Sequence, residues 1–266
     1  MIVGWATAAY GAACCGTGPP IDPGALAQDE VVGIGVGLSA TGTPTRWDTA
    51  GQLHATDGAE VGTAVSARVR PTRWLPVGVV VPAAVALSAD GIAPTWSDPV
   101  ALARLEPPSA VLGRLHPVLT GGIAAPLEVA DDRPPWWRGI VAPSVELATD
   151  TAAASGWVSA SVPVWGAADD GIHPGTVWEL AAAGGPRGEW GSVAVGGGAR
   201  LTTPGRLDGR RVGVGSAAPI LRGSATIPVV DHLRVVLVAE GGPPVPLLGR
   251  NADLSVAIAG SVIRTW

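Results

Sequence analysis

Lysine and phenylalanine are absent from this 266-residue chain, and Tyr10 is its single tyrosine. All 17 basic residues are therefore arginine. The codons for lysine and phenylalanine are AT-rich, so the gap describes a GC-rich genome and not a function. Charge of either sign is scarce, at 15% of residues, and the net charge is −5. A nucleic-acid binder carries a concentrated basic face. Arg210-Arg211 is too short a run to supply one, so no nucleic acid is expected as a partner. Cysteine is limited to the neighbours Cys14 and Cys15. A bridge between adjacent residues is strained, so both read as free thiols outside any disulfide framework. No run reaches the roughly 18 apolar residues of a membrane helix. The opening Met1-Ile-Val-Gly-Trp-Ala-Thr has no basic n-region, so no secretory signal is expected.

Apolar residues, at 47%, support a real core, and 38 glycines with 25 prolines suit short strands joined by tight turns. Strand-and-turn words recur. Val36-Gly-Leu-Ser-Ala-Thr-Gly-Thr-Pro-Thr-Arg-Trp47 returns as Val85-Ala-Leu-Ser-Ala-Asp-Gly-Ile-Ala-Pro-Thr-Trp96 and more faintly at 145–150. Val65-Ser-Ala-Arg-Val-Arg-Pro71 returns as Val111-Leu-Gly-Arg-Leu-His-Pro117 and Val158-Ser-Ala-Ser-Val-Pro163. In 32–38 the alternation puts Val32, Ile34, Val36 and Leu38 on one face and bare glycine on the other. Glycine weakens a strand unless something approaches closely, and a ring such as Trp47 is expected to cover it. In 60–70, Val61, Thr63, Val65, Ala67 and Val69 share one face. Arg68 and Arg70 share the other, which reads as the solvated side of a half-buried strand.

The expected fold is all-β, with antiparallel β-sandwich type units built from repeated hairpins. Residues 1–30 form an N-terminal arm and 31–130 two β repeats. Residues 131–192 hold a degenerate third repeat and a long loop, and 193–266 a C-terminal β region. Segments 98–104 and 176–183 are the candidates for a short helical turn.

Chemical motifs are sparse. His54, His116, His173 and His232 have no zinc-ligand spacing, and His116 reads as part of a solvated strand face. Asp169, Asp170 and His173 are the best metal-like cluster. Calcium needs six or more oxygens, so they read as a polar turn, as do Asp131 and Asp132. No catalytic residue, metal or cofactor is expected, and the glycine runs lack the helix that a phosphate loop needs. Trp47, Trp74 and Trp96 recur with the repeat and read as packing inside it. Trp136 and Trp137, followed by Arg138, are the interface candidates, because paired Trp beside Arg is hot-spot composition.

The words Leu38-Ser-Ala-Thr-Gly-Thr-Pro44 and Leu87-Ser-Ala-Asp-Gly91 resemble those of minor tail proteins of phages infecting high-GC actinobacteria, over about 31–165. The resemblance implies a non-enzymatic virion structural protein, assembled in multiple copies in the host cytoplasm. Its partners would be other virion proteins and copies of itself, with no membrane. The alternatives are a capsid decoration protein and a Trp-based carbohydrate-binding or adhesin module for a host-surface glycan. A further alternative is an outer-membrane β-barrel of a mycolate-bearing host, for which the alternation and the high mean hydropathy speak. Proline within candidate strands and the missing signal count against it.

Overall fold

The computed structural model describes residues 30–47, 53–88, 91–95, 98–106, 115–126, 136–166, 172–207, 209–212, 215–242 and 253–266. Residues 1–29 of the N-terminal arm, with Cys14 and Cys15, and Trp96, Asp131, Asp132, Asp169 and Asp170 lie outside the described residues. The all-β, antiparallel expectation holds. The strands in chain order are β1 (Val32–Trp47), β2 (Leu53–Thr72), β3 (Leu75–Ser88), β4 (Gly91–Thr95), β5 (Val100–Leu105) and β6 (Leu115–Ala124). They continue with β7 (Trp136–Ala148), β8 (Ala152–Gly166), β9 (Ile172–His173), β10 (Val177–Gly188) and β11 (Gly191–Thr202). The last are β12 (Gly205–Leu207), β13 (Arg210–Val212), β14 (Ser216–Val230), β15 (Leu233–Gly241) and β16 (Asp253–Thr265).

The sandwich expectation is corrected: the main sheet closes on itself. β1 pairs on one side with β2 and on the other with β16, and β2 continues into β3. From β3 the wall runs through β5, β6, β7, β8, β10, β11, β14 and β15 back to β16. β4 and β5 use the same edge of β3 in succession, over Ala84 to Ser88 and Val77 to Val80, so they act as one interrupted strand. The wall is thus a twelve-stranded antiparallel barrel, with β9, β12 and β13 in a separate small sheet. Twelve strands about 4.8 Å apart and tilted about 40° enclose a backbone cylinder of roughly 12 Å radius.

The two ends differ. β2–β3, β7–β8, β10–β11 and β14–β15 are joined by two or three residues at one end, here the turn end. The start of β1 and the end of β16 lie there too, with Val32 and Trp266 exchanging backbone hydrogen bonds. At the other end, the loop end, connections are longer and carry the small sheet.

The alternation seen in the sequence is real, but its sides are reversed. Val61, Val65 and Val69 are exposed, as are Ile34, Val36 and Leu38, the last 68% accessible. Arg68 and Arg70, expected in solvent, are buried at 8% and 7% and point into the barrel. The glycine face of β1 also points inward. A Cβ at Gly35 would stand 2.7 Å from Ser66 Oγ and 3.3 Å from Ile263 Cγ1, so neighbouring strands crowd this face and not a ring. Trp47 pairs with Leu53 at the far end of β1. Val236, Val238 and Ile263 form an inward-facing apolar cluster.

Both helical candidates are strand. Residues 98–104 enter β5, and 176–183 form the start of β10 within the expected long loop. Ala181, Ala182 and Ala183 favour helix in isolation. Pairing with Ser161 to Ala152 on β8 and Thr202 to Gly191 on β11 overrides that preference.

Candidate functional site

The candidate site is the barrel itself: an apolar outer belt and a charged inner wall. Register builds both. Every wall strand places alternate residues outward, and these are Val, Leu, Ile, Ala, Gly, Pro or Thr through the middle of the wall. Val145, Val158, Leu180, Val195, Leu221, Leu237 and Ile258 are examples, and all are exposed. Among the described residues, the one outward charge is Arg264 near the end of β16, whose guanidinium lies 5.0 Å from the Trp266 ring centroid.

Tryptophan frames the belt at both ends. Trp74, Trp190 and Trp266 are exposed at the turn end, in the β2–β3 turn, in the β10–β11 turn and after β16. Trp74 was expected inside its repeat, and the reversal of sides places it outside. At the loop end, Trp165 is 72% accessible and stacks on Trp137 with centroids 6.3 Å apart. Trp178 is exposed at the start of β10, opposite Ala160 of β8. Between Trp178 and Trp190 the strand rises about 30 Å, taking about 3.3 Å per residue and about 40° of tilt.

The inner wall is charged but pairs its charges internally. Register sets Glu179 of β10 opposite Arg200 of β11, and Arg222 of β14 opposite Glu240 of β15. Arg200 then bridges Glu179 at 2.8 Å and Glu240 at 3.0 Å. Arg222 bonds Glu240, with Nε at 3.0 Å, and approaches Glu179 at 3.5 Å. Trp157 Nε1 donates to Glu179 at 3.0 Å, and the Arg222 guanidinium stands 5.4 Å from the Trp157 ring centroid. A second group lies near the turn end. Arg70 bonds Glu106 at 2.9 Å and the Arg73 carbonyl at 2.8 Å, and Arg104 reaches Glu106 at 2.5 Å and Glu146 at 2.8 Å. A third joins Glu30 to Arg234 at 3.1 Å and to the Thr265 hydroxyl at 2.6 Å. Buried ions need such partners, because an uncompensated one costs several kcal/mol.

Of the interface candidates, Trp136 and Arg138 face inward and are buried, while Trp137 faces outward in the Trp165 stack. Arg138 donates to Ser161 Oγ at 2.9 Å and to the Gly175 carbonyl at 3.2 Å. The Trp136 ring lies 4.8 Å from that of His173. His116 sits on the inner wall opposite Glu146. Among the described residues, no three His, Cys, Asp or Glu side chains are grouped to hold a metal, and no helix is long and apolar enough to cross a membrane. The paired ions Glu179, Arg200, Arg222 and Glu240 escaped sequence reasoning because their partners lie 18 to 43 residues apart.

No family model matches the chain, and no curated protein matches its sequence. Solved structures do match its fold. The COG4313 outer membrane channel from Pseudomonas putida F1 aligns with a TM-score of 0.74 at 14% identity, covering 92% of this chain and 99% of that one. The translocator domain of the autotransporter NalP from Neisseria meningitidis aligns at 0.50 with 10% identity, covering 89% and 88%. These likenesses concern fold. They overturn the phage tail resemblance, and with it the virion role, the virion partners and location, the host-glycan alternative and the exclusion of a membrane. Strand words rich in Ser, Ala, Thr and Gly are common to β proteins in general, so they did not discriminate.

Proposed function

We propose that this chain is a non-enzymatic β-barrel of a bacterial outer membrane that forms a passage for small solutes. One observation carries the reading: an uncharged outward belt about 30 Å tall, bounded at both ends by exposed tryptophans. Exposed apolar residues on this scale would aggregate a soluble protein. In a bilayer they meet hydrocarbon, and the Trp rings sit at headgroup depth. A closed sheet is one of the two architectures that satisfy every backbone group in lipid. Four of the five connections at the turn end are two or three residues long, the nine-residue 106–114 being the exception, and the loop end carries most of the longer connections, which fits the periplasmic and extracellular sides of such barrels.

The similarity to a solved outer membrane channel supports a passage over a purely structural barrel. The inner wall supports weak charge selectivity, because its carboxylates and guanidiniums face one another. The test is single-channel recording after refolding into planar bilayers. Discrete conductance steps with a reversal potential near zero in a salt gradient are expected. A protein that floats with liposomes yet never conducts would remove the passage and leave the membrane barrel.

A further inference from the structure

The small sheet at the loop end holds a row of basic side chains. β12 pairs with β13 so that Arg206 faces Arg211, and with β9 so that Arg206 faces His173. Directly opposed residues share a face with Cβ atoms about 5 Å apart, and like charges so placed are destabilising. Arg206 and Arg211 are exposed, and among the described residues neither makes an ion pair. The inner wall is different, since Arg70, Arg104, Arg200, Arg222 and Arg234 meet carboxylates there. The row is also fixed in place. The His173 ring packs on Trp136 at the start of β7, and Arg138 grips the Gly175 carbonyl. Thr176 accepts from the Thr203 backbone N–H at 2.9 Å, which ties the strand before β12 to the segment after β9. Gly175 allows that approach, since a Cβ there would stand 1.8 Å from the Thr203 carbonyl oxygen. Because His173 faces Trp136, the face bearing Arg206 and Arg211 is turned toward the barrel mouth.

The geometry points to a phosphate-type oxyanion site formed by Arg206, Arg211 and His173 at the loop-end mouth. Guanidiniums bind such groups through two parallel N–H donors, and an oxyanion between them relieves the repulsion within the row. The oxyanion could be free phosphate or the phosphate of a lipid headgroup. The placement at a channel mouth rests on the passage reading, but the binding itself does not.

The experiment titrates inorganic phosphate into the full chain folded in zwitterionic detergent at low salt, followed by calorimetry. The wild type should bind, and R206Q/R211Q should weaken binding at least about tenfold, the loss of one charge-assisted pair. R210Q is the control for loss of a nearby arginine: Arg210 pairs with Leu207 and so lies on the opposite face, and its affinity should be unchanged. Repeating the titration in vesicles containing phosphatidic acid separates the sources. Competition that vanishes in R206Q/R211Q assigns the site to a lipid headgroup, and its absence assigns it to soluble phosphate. Equal binding by wild type and R206Q/R211Q, or no binding by a folded wild type, overturns the site. Conductance without phosphate binding would sink the site alone, and phosphate binding without conductance would sink the passage alone.

Discussion

Trp157 on β8 donates its indole N–H to Oε1 of Glu179 on the adjacent β10 at 3.0 Å. That bond joins an aromatic ring to a buried set of two carboxylates and two guanidiniums spread over four strands. Removing one carboxylate leaves two arginines undercompensated. Glu179→Leu should therefore destabilise the barrel by about 3 kcal/mol or more, read as a lower urea midpoint for unfolding in detergent. Trp157→Phe removes only one donor and keeps the ring, so its cost should be nearer ~1 kcal/mol. Equal effects from the two variants would mean that the charges are not coupled as described.

The β10–β11 seam makes a different prediction. Gly198 stands opposite Ala181, and a Cβ there would lie 2.1 Å from the Leu180 carbonyl oxygen. Backbone cannot step aside as a flexible side chain can. Gly198→Ala should cost about 2 kcal/mol or more. Gly223→Ala, where nothing lies within 4 Å, should be tolerated. Matching refolding yields for the two variants would contradict the close approach.

At the β14–β15 turn, His232 has φ of 64°. This left-handed conformation costs an L-residue roughly 1–2 kcal/mol that glycine does not pay. His232→Gly should hold or raise the unfolding midpoint despite the added chain entropy, and a clear drop would show that the imidazole makes a stabilising contact.

Much of the architecture was readable in the residues, and the errors share one cause. Alternation correctly sorted Val61, Val65 and Val69 from Arg68 and Arg70. It could not say which set faces inward, since period two is the same for a sandwich strand and a barrel strand. The water-soluble assumption then placed the arginines in solvent and Trp74 in a core. Proline was read as evidence against a barrel, yet Pro82 sits in β3 between the stretch that pairs with β5 and the stretch that pairs with β4, where that edge of the ladder is interrupted. The ion pairs were unreadable because Arg222 and Glu179 come together only through the pairing of β10 with β11 and of β11 with β14. The one cue that pointed outward was the Trp spacing on β10, where Trp178 and Trp190 are separated by about one bilayer.

An outward charge inside the belt should be costly. Val36→Arg, on the exposed face of β1, should destabilise the barrel in lipid vesicles by about 2–4 kcal/mol. In a soluble protein the same change would be nearly neutral.

The most direct test of the inside-out wall is a fluorophore scan of β2 in vesicles. With Cys14 and Cys15 replaced by Ser, single cysteines are placed from 61 to 67 and labelled. Brominated acyl chains should quench labels at 61, 63, 65 and 67 and leave 62, 64 and 66 bright, a period of two along the strand. Uniform brightness, or quenching at the even positions, would contradict the account.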